Sequence, residues 1–237
     1  MAIAAFSFPK MMRELCRILL PQLCIHCREP LVGDEKDLCT HCIAQIAWLH
    51  NDTAEDNMAE MRLAGLFPFQ SAAALTRFRK GTVTQSIVHQ IKYYHNTRLA
   101  KQFGHLLGET LVASGRFNDV DCLMPVPLHP VKHLRRGYNP SQLLCEAMAD
   151  VMHLPIESHC LYRRRYTKSQ TRKSRQQRQK NMQDVFALHH ADRLTGKHIL
   201  LVDDILTTGS TTTACADVLT TIPGLRISLA FLAVVND

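Results

Sequence analysis

Residues 198–211 read HILLVDDILTTGST, and no other stretch constrains the fold as tightly. Four consecutive apolar residues precede two adjacent acids, Asp203 and Asp204. An apolar run without polar alternation suits a strand buried on both faces, as in a parallel sheet. Parallel neighbours need crossover connections, usually helices, and the surroundings supply them. STTTACADVLTT reads as a helix after the loop, and RISLAFLAVV as a further strand. Upstream, VDCLMPVPL reads as a strand whose end is set by Pro125 and Pro127. NPSQLLCEAMADVMHL reads as a helix, with Asn139 as N-cap and Pro140 in its first turn. Ile87, Ile91, Leu99, Phe103, Leu106 and Leu107 recur near helical spacing, which predicts one or two amphipathic helices over 81–114. Strands alternating with helices predict an α/β domain with a mostly parallel sheet, spanning residues 63–237.

The paired acids fall where open α/β sheets bind ligands, outside the carboxyl end of a strand. Gly209 relaxes the backbone behind them. Thr207, Thr208, Ser210 and Thr211 offer hydroxyls, and the loop amides lead into a helix N-terminus. Such a loop can cradle a phosphate. Asp203 and Asp204 can accept hydrogen bonds from sugar hydroxyls, or face Mg2+ through water. A ribose 5-phosphate combines both demands. A Walker B strand would need an upstream G-x4-G-K-[ST], and the sequence has none. A helix N-cap accounts for one acid, not for two and the loop.

Residues 24–42 contain a second constraint. Cys24-Ile-His-Cys27 and Cys39-Thr-His-Cys42 are two C-x2-C knuckles separated by eleven residues. Each knuckle turns tightly enough to aim two thiolates at one ion, and two knuckles complete a tetrahedral four-cysteine zinc site. Such a closed site is structural. His26 and His41 lie inside the knuckles, as competing ligands or as neighbours of the metal. The zinc ribbon and a linker helix are expected within 1–62, with NDTAEDN as polar linker and Trp48 packing the module on the larger domain. Cys24→Ser or Cys42→Ser is expected to unfold this module and leave the α/β domain folded. Cys16, Cys122, Cys145, Cys160 and Cys215 show no ligand spacing and read as core thiols. His95, His105, His129 and His133 read as surface or packed residues.

The formal net charge of +7 favours acidic partners: nucleic acid, nucleotides or other phosphorylated molecules. The basic residues concentrate. Between Tyr162 and Lys180 there are nine Lys or Arg and no acid, among them Arg163, Arg164, Arg165, Lys168, Arg175 and Arg178. With Gln170 they read as a solvated loop, as a lid over pyrophosphate, or as a single-stranded nucleic-acid track with Tyr162 and Tyr166 as stacking platforms. Lys10, Arg13 and Glu14 interrupt any signal-peptide core, and no stretch approaches the roughly 20 apolar residues of a membrane span. A cytoplasmic chain with reduced thiols is expected, with no membrane span.

The motif of four apolar residues, D-D, two apolar residues and T-T-G-S-T resembles the phosphoribosyl-pyrophosphate loop of type I phosphoribosyltransferases. PVPLHPVKHLRRGYNPSQLL and RRYTKSQTRKSRQQRQKNMQDVF, together with the clustered cysteines, resemble the ComF/GntX family over nearly the whole chain. The resemblance implies a type I phosphoribosyltransferase-like parallel sheet flanked by helices, preceded by a small four-cysteine zinc ribbon. It implies a role in DNA uptake during competence, or in use of extracellular DNA as a nutrient. It puts Asp203 and Asp204 on the ribose hydroxyls, and Thr207, Thr208, Gly209, Ser210 and Thr211 around the 5-phosphate. Arg136 and Gly137 match the place of the pyrophosphate loop, and residues 167–181 match the mobile loop that closes over such sites.

Two functions are compatible with these expectations. One is a Mg2+-dependent phosphoribosyltransferase using phosphoribosyl pyrophosphate, in which Asp203, Asp204 and Arg136 act at the reacting centre. The other is a non-catalytic module that keeps the phosphoribosyl or nucleotide site and handles single-stranded DNA beside helicase-type or other DNA-processing proteins.

Overall fold

The computed structural model describes residues 21–49, 57–164 and 185–235. Its centre is a four-stranded sheet built from β1 (Ala72–Phe78), β2 (Cys122–Pro125), β5 (His198–Leu206) and β6 (Arg226–Val235). The strands run β1-β6-β5-β2, and every pairing is parallel. Two three-residue strands, β3 (Leu161–Arg163) and β4 (Phe186–Leu188), form a separate antiparallel pair. The predicted α/β class with a parallel sheet is borne out.

Strand alternation divides the core into two layers. On one face, Leu123, Leu200, Val202, Ala230 and Leu232 join Ile87, Ile91, Leu99, Phe103 and Leu144. These come from α3 (Val83–Tyr93), α4 (Thr97–Ser114) and α6 (Pro140–Met152). On the other face, Met124, Ile199, Leu201 and Phe231 meet Cys215 and Leu219 of α7 (Ser210–Leu219). Each fully buried side chain of Leu or Ile size contributes about 1.5–3 kcal/mol relative to exposure. The sheet is therefore a rigid platform, and its carboxyl edge carries the loops considered below.

The N-terminal module carries α1 (Thr40–Ala44), and α2 (Met58–Leu63) follows. The module is not a separate bead. Cys24, Leu38, Cys42 and Ile46 pack in the same apolar cluster as Ile87, Ile91 and Leu99. Trp48 stacks on Phe103, with ring centroids 6.0 Å apart and planes 12° apart. The backbone of Leu49 donates to Leu75 O (3.0 Å), and Arg77 donates to Ala47 O (2.8 Å).

Four elements differ from the reading of the sequence, which did not assign β1, β3, β4 or α5 (Pro130–Arg136). The helix α5 has Pro at its first turn, His129 as N-cap, and no buried residue, so no apolar period announces it. Asn139 does cap α6, with Oδ1 accepting the Ser141 amide at 3.3 Å.

Candidate phosphoribosyl site

The chain leaves β5 at Leu206 and enters α7 at Ser210, so Thr207, Thr208 and Gly209 make the whole turn. Gly209 is the N-cap, at φ 76 and ψ −2. The left-handed conformation calls for glycine, and a Cβ there would also displace the end of the Leu66 side chain, 2.6 Å away. The first-turn amides of a helix have no intrahelical acceptor. Thr207 and Thr208 are exposed, and Ser210 and Thr211 are partly exposed. Thr208 Oγ1 and Ser210 Oγ are 2.7 Å apart. Thr212 and Thr213 turn inward, donating to Gly209 O at 2.7 and 2.9 Å and bracing the loop. Asp203 and residues 205–212 line a dent of about 40 Å³.

The two acids have different surroundings. Asp203 Oδ1 accepts from Ser141 Oγ of α6 (3.0 Å) and from the Asp204 amide (2.9 Å). Burial, and then the charge of Asp204, push its carboxyl up to about 7, against the opposing pull of Lys92, the Asp204 amide and Ser141. Asp204 Oδ1 meets Lys92 Nζ of α3 at 2.8 Å. Burial pulls the Lys92 ammonium down, but the Asp204 charge and hydrogen bond outweigh it, and its pKa is held above the ordinary lysine value.

Other cations gather around this pair. Lys132 is lowered first by burial and then by the charges of Arg163, Arg136 and Lys92. Arg163 is also lowered by burial, with Asp203 among the charges that oppose this. The Arg136 guanidinium lies 5.1 Å above the Tyr93 ring, and Gly137 closes α5 in the left-handed region at φ 76. Two carboxylates and the first-turn amides of α7 on one edge, with several cations nearby, have the chemistry to receive a polyanion that also carries hydroxyls.

Arg136 and Gly137 stand at the end of α5, Asp203 and Asp204 lie within the last four residues of β5, and the 207–211 loop leads from β5 into α7. Arg163 and Arg164 sit at the end of β3, with the Arg164 amide donating to Val185 O at 2.7 Å. Arg165, Lys168, Gln170, Arg175 and Arg178 lie outside the described residues, as do Tyr166 and the expected mobile loop. Lys92, Ser141 and Lys132 were not foreseen from the sequence. A second cleft, of about 500 Å³, lies beside the site and shares Arg163 and Gly137 with it. Pro125, Pro127, Tyr138 and Tyr162 form part of its wall, and Gln142 donates to Glu146 within it at 3.3 Å.

The four predicted cysteines come together, with all Sγ atoms within 4.8 Å of one another. Cys27 Sγ and Cys39 Sγ are 3.7 Å apart. A tetrahedron with metal–sulfur bonds of about 2.3 Å has edges of about 3.8 Å, so the spacing fits an ion at the centre. The Cys39 amide points at Cys24 Sγ at 3.5 Å. Burial raises the Cys24 thiol, but the amides of Cys39, His26 and Cys27 outweigh it and bring it to about 6, while burial pushes Cys42 up. His26 Nδ1 pairs with Ser86 Oγ at 3.0 Å and His41 Nε2 lies 2.7 Å from Gln45 Nε2, so both rings are engaged outside the thiol cluster.

At the other end of the sheet, His198 Nε2 lies 2.9 Å from Ser228 Oγ and its Nδ1 lies 3.1 Å from Asp119. Ser228 and His198 are buried, while Asp119 is about half exposed.

No family model matches the chain. DNA utilization protein YhgH of Escherichia coli K12 is 32% identical over 136 residues, covering 56% of this chain and 59% of that protein. The alignment thus spans less than two thirds of that relative. DNA utilization protein YhgH of Salmonella typhimurium is 26% identical over 213 residues, covering 85% of this chain and 92% of that protein. Competence protein F of Haemophilus influenzae is 32% identical over 92 residues, 38% of this chain and 40% of that protein. Among solved structures, an adenine phosphoribosyltransferase overlaps at TM-score 0.39 and 13% identity, covering 60% of this chain and 72% of that one. A purine phosphoribosyltransferase from Pyrococcus horikoshii overlaps at TM-score 0.35 and 20% identity, covering 57% and 73%. The resemblance read from the motifs is borne out by these relatives: the chain is similar to DNA utilization protein YhgH and to Competence protein F.

Proposed function

We propose that this chain binds phosphoribosyl pyrophosphate or a nucleotide at the carboxyl edge of its sheet and acts in DNA uptake or in use of DNA as a nutrient. The observation that carries the reading is the juxtaposition of Asp203 and Asp204 with the 207–211 loop and the surrounding cations. The loop amides take the 5-phosphate, Asp203 and Asp204 take the ribose hydroxyls, and Lys92, Lys132, Arg136 and Arg163 face the pyrophosphate. Bound Mg2+ would add positive charge at the pyrophosphate oxygens. In the enzymatic form of this reading, Arg136 stabilises the departing pyrophosphate, and the 500 Å³ cleft has room for an acceptor base. The four thiolates hold a structural zinc ion, in a ribbon assigned to residues 1–62 that precedes a phosphoribosyltransferase-like unit at 63–237.

A second, non-catalytic reading is favoured by exposed rings beside these cations. Tyr93 and Tyr94 are 57% and 61% exposed, and both rings contact His89, with centroids 4.9 and 5.4 Å apart. Aromatic faces next to Arg suit stacking by single-stranded bases. In this reading the module handles single-stranded DNA beside helicase-type proteins.

Calorimetric titration with Mg–phosphoribosyl pyrophosphate tests the shared site. The Asp203→Asn/Asp204→Asn double variant is expected to stay folded and to lose at least tenfold in affinity, since charge-assisted bonds are worth about 1.5–3 kcal/mol each. Wild-type protein that binds neither phosphoribosyl pyrophosphate, ribose 5-phosphate nor a nucleoside monophosphate at millimolar concentration refutes the reading. Pyrophosphate release with a nucleobase separates the enzyme from the binding module.

A further inference from the structure

The cysteine module reaches a corner of the chain between α3 and α4, and the other side of that corner faces the phosphoribosyl site. Asp37 lies between the two knuckles, is 8% exposed, and takes a left-handed backbone at φ 57. Its carbonyl accepts the Ile25 amide at 2.8 Å, tying it to the first knuckle. Its carboxylate leaves the module altogether. Oδ1 accepts from Asn96 Nδ2 at 2.6 Å, and Oδ2 accepts from Arg98 Nε and Nη2 at 3.1 and 2.9 Å. Asn96 is itself the N-cap of α4, its Oδ1 accepting the Leu99 amide at 3.0 Å. One amide side chain thus starts α4 and fastens it to the module.

The other side of the same corner faces the site. Lys92, in the last turn of α3, reaches Asp204 at 2.8 Å. Tyr138 donates its hydroxyl to Ile91 O, and His95 packs edge-on to Tyr138 at 5.5 Å. Ile91 is buried in the cluster that also holds Cys24, Leu38 and Cys42. Only three residues, Tyr93, Tyr94 and His95, separate Lys92, the group on Asp204, from Asn96, the group on Asp37. A displacement at one end has little slack in which to dissipate.

We infer that Asp37 is a positioning residue for the phosphoribosyl site: by anchoring Asn96 and Arg98 it sets where Lys92 stands against Asp204 and the pyrophosphate. The inference rests on the phosphoribosyl reading above. The metal module is then a bracket for the cationic side of the site, while the phosphate loop, carried by β5 and α7, is built independently of it. Coupling of this kind is reciprocal in binding free energy, so a pyrophosphate ligand also raises the affinity of the thiolates for the metal.

The test uses the full chain with its zinc, comparing wild type with Asp37→Ala, Asp37→Asn and Arg98→Ala. Affinity for Mg–phosphoribosyl pyrophosphate is read by calorimetry, and phosphate binding at the loop by the Gly209 amide resonance during titration with inorganic phosphate. Asp37→Ala is expected to weaken the pyrophosphate ligand about tenfold, within the usual range of coupling between sites, and to leave phosphate binding within twofold of wild type. Asp37→Asn keeps one acceptor and a residue type that tolerates positive φ, and falls between the two. Arg98 is 59% exposed and outside the module, so Arg98→Ala breaks the same contact even if Asp37 variants lose zinc or fold poorly. In equilibrium competition with a chromogenic chelator, wild type is expected to hold its zinc more tightly when Mg–phosphoribosyl pyrophosphate is bound. If the variants bind the pyrophosphate ligand like wild type, or lose phosphate binding in equal measure, the positioning role is overturned while the site stands. If wild type binds neither ligand, the phosphoribosyl reading fails and takes the coupling with it.

Discussion

Asp203 ends a buried run at a place where burial and Asp204 together raise its carboxyl to about 7. An unfolded aspartate titrates near 3.9. Between these values the native state binds more protons than the unfolded chain, so this residue makes stability fall as pH rises from about 4 to about 7, and its contribution levels off above that. Asp203→Asn should flatten that slope and gain about 1–3 kcal/mol at pH 8, as read by urea unfolding across pH. A slope unchanged in the variant refutes the assignment. A bound cation favours the ionised carboxylate, so binding of Mg–phosphoribosyl pyrophosphate near pH 6 should release protons, seen as a dependence of binding heat on buffer ionisation enthalpy. The pair Asp203–Asp204 and the loop behind it were legible in the sequence because the whole unit is contiguous. Lys92 and Ser141 were not, because each is brought in by a different helix from a distant part of the chain, and neither stands out among its neighbours.

Helix placement depends on two glycines that carry no chemistry. Gly104 and Gly108 lie one turn apart on α4, against α6. A Cβ at Gly104 would sit 2.7 Å from Ala147 Cβ and 2.9 Å from Leu144 O, and part of that obstacle is backbone that cannot rotate away. Gly104→Ala is therefore expected to destabilise by about 1–3 kcal/mol, the usual cost of overpacking, despite the better helix propensity of alanine. Because α6 also carries Ser141 onto Asp203, the same substitution should weaken phosphoribosyl binding. Chemical denaturation and calorimetry check both effects, and a stabilised variant contradicts the packing argument. At this scale the long helices and β2, β5 and β6 could be read from apolar period and length. The strand β1 could not: AAALTRF has three alanines, which carry little strand preference, and its pairing with β6 decides the conformation. The strands β3 and β4 have three residues each, too few for any period.

At the scale of the whole molecule, the packing of the cysteine module bears on how the parts cohere. Two knuckles and a polar linker suggested a module that could unfold alone. Cys24 and Cys42 of the four-cysteine cluster are 0% and 1% exposed and share one apolar cluster with Ile87, Ile91, Leu99 and Phe103. Removing the metal leaves up to four thiols crowded where an ion should sit, with part of the α3–α4 face losing its cover. Nothing in knuckle spacing could reveal this, because spacing reports what a segment binds and not what it packs upon. Cys42→Ser is thus expected to lose zinc and also to lower the main thermal transition of the α/β unit, by about 5 °C or more, since about 1 kcal/mol corresponds to 2–4 °C in a domain of this size. Scanning calorimetry should show one transition for wild type, with equal calorimetric and van't Hoff enthalpies. A metal-free variant whose main transition stays at the wild-type temperature, with an early separate transition for the module, would restore the picture of two independent units. It would also remove the mechanical basis for Asp37 acting on Lys92, since a module that melts alone cannot hold the corner between α3 and α4 in place.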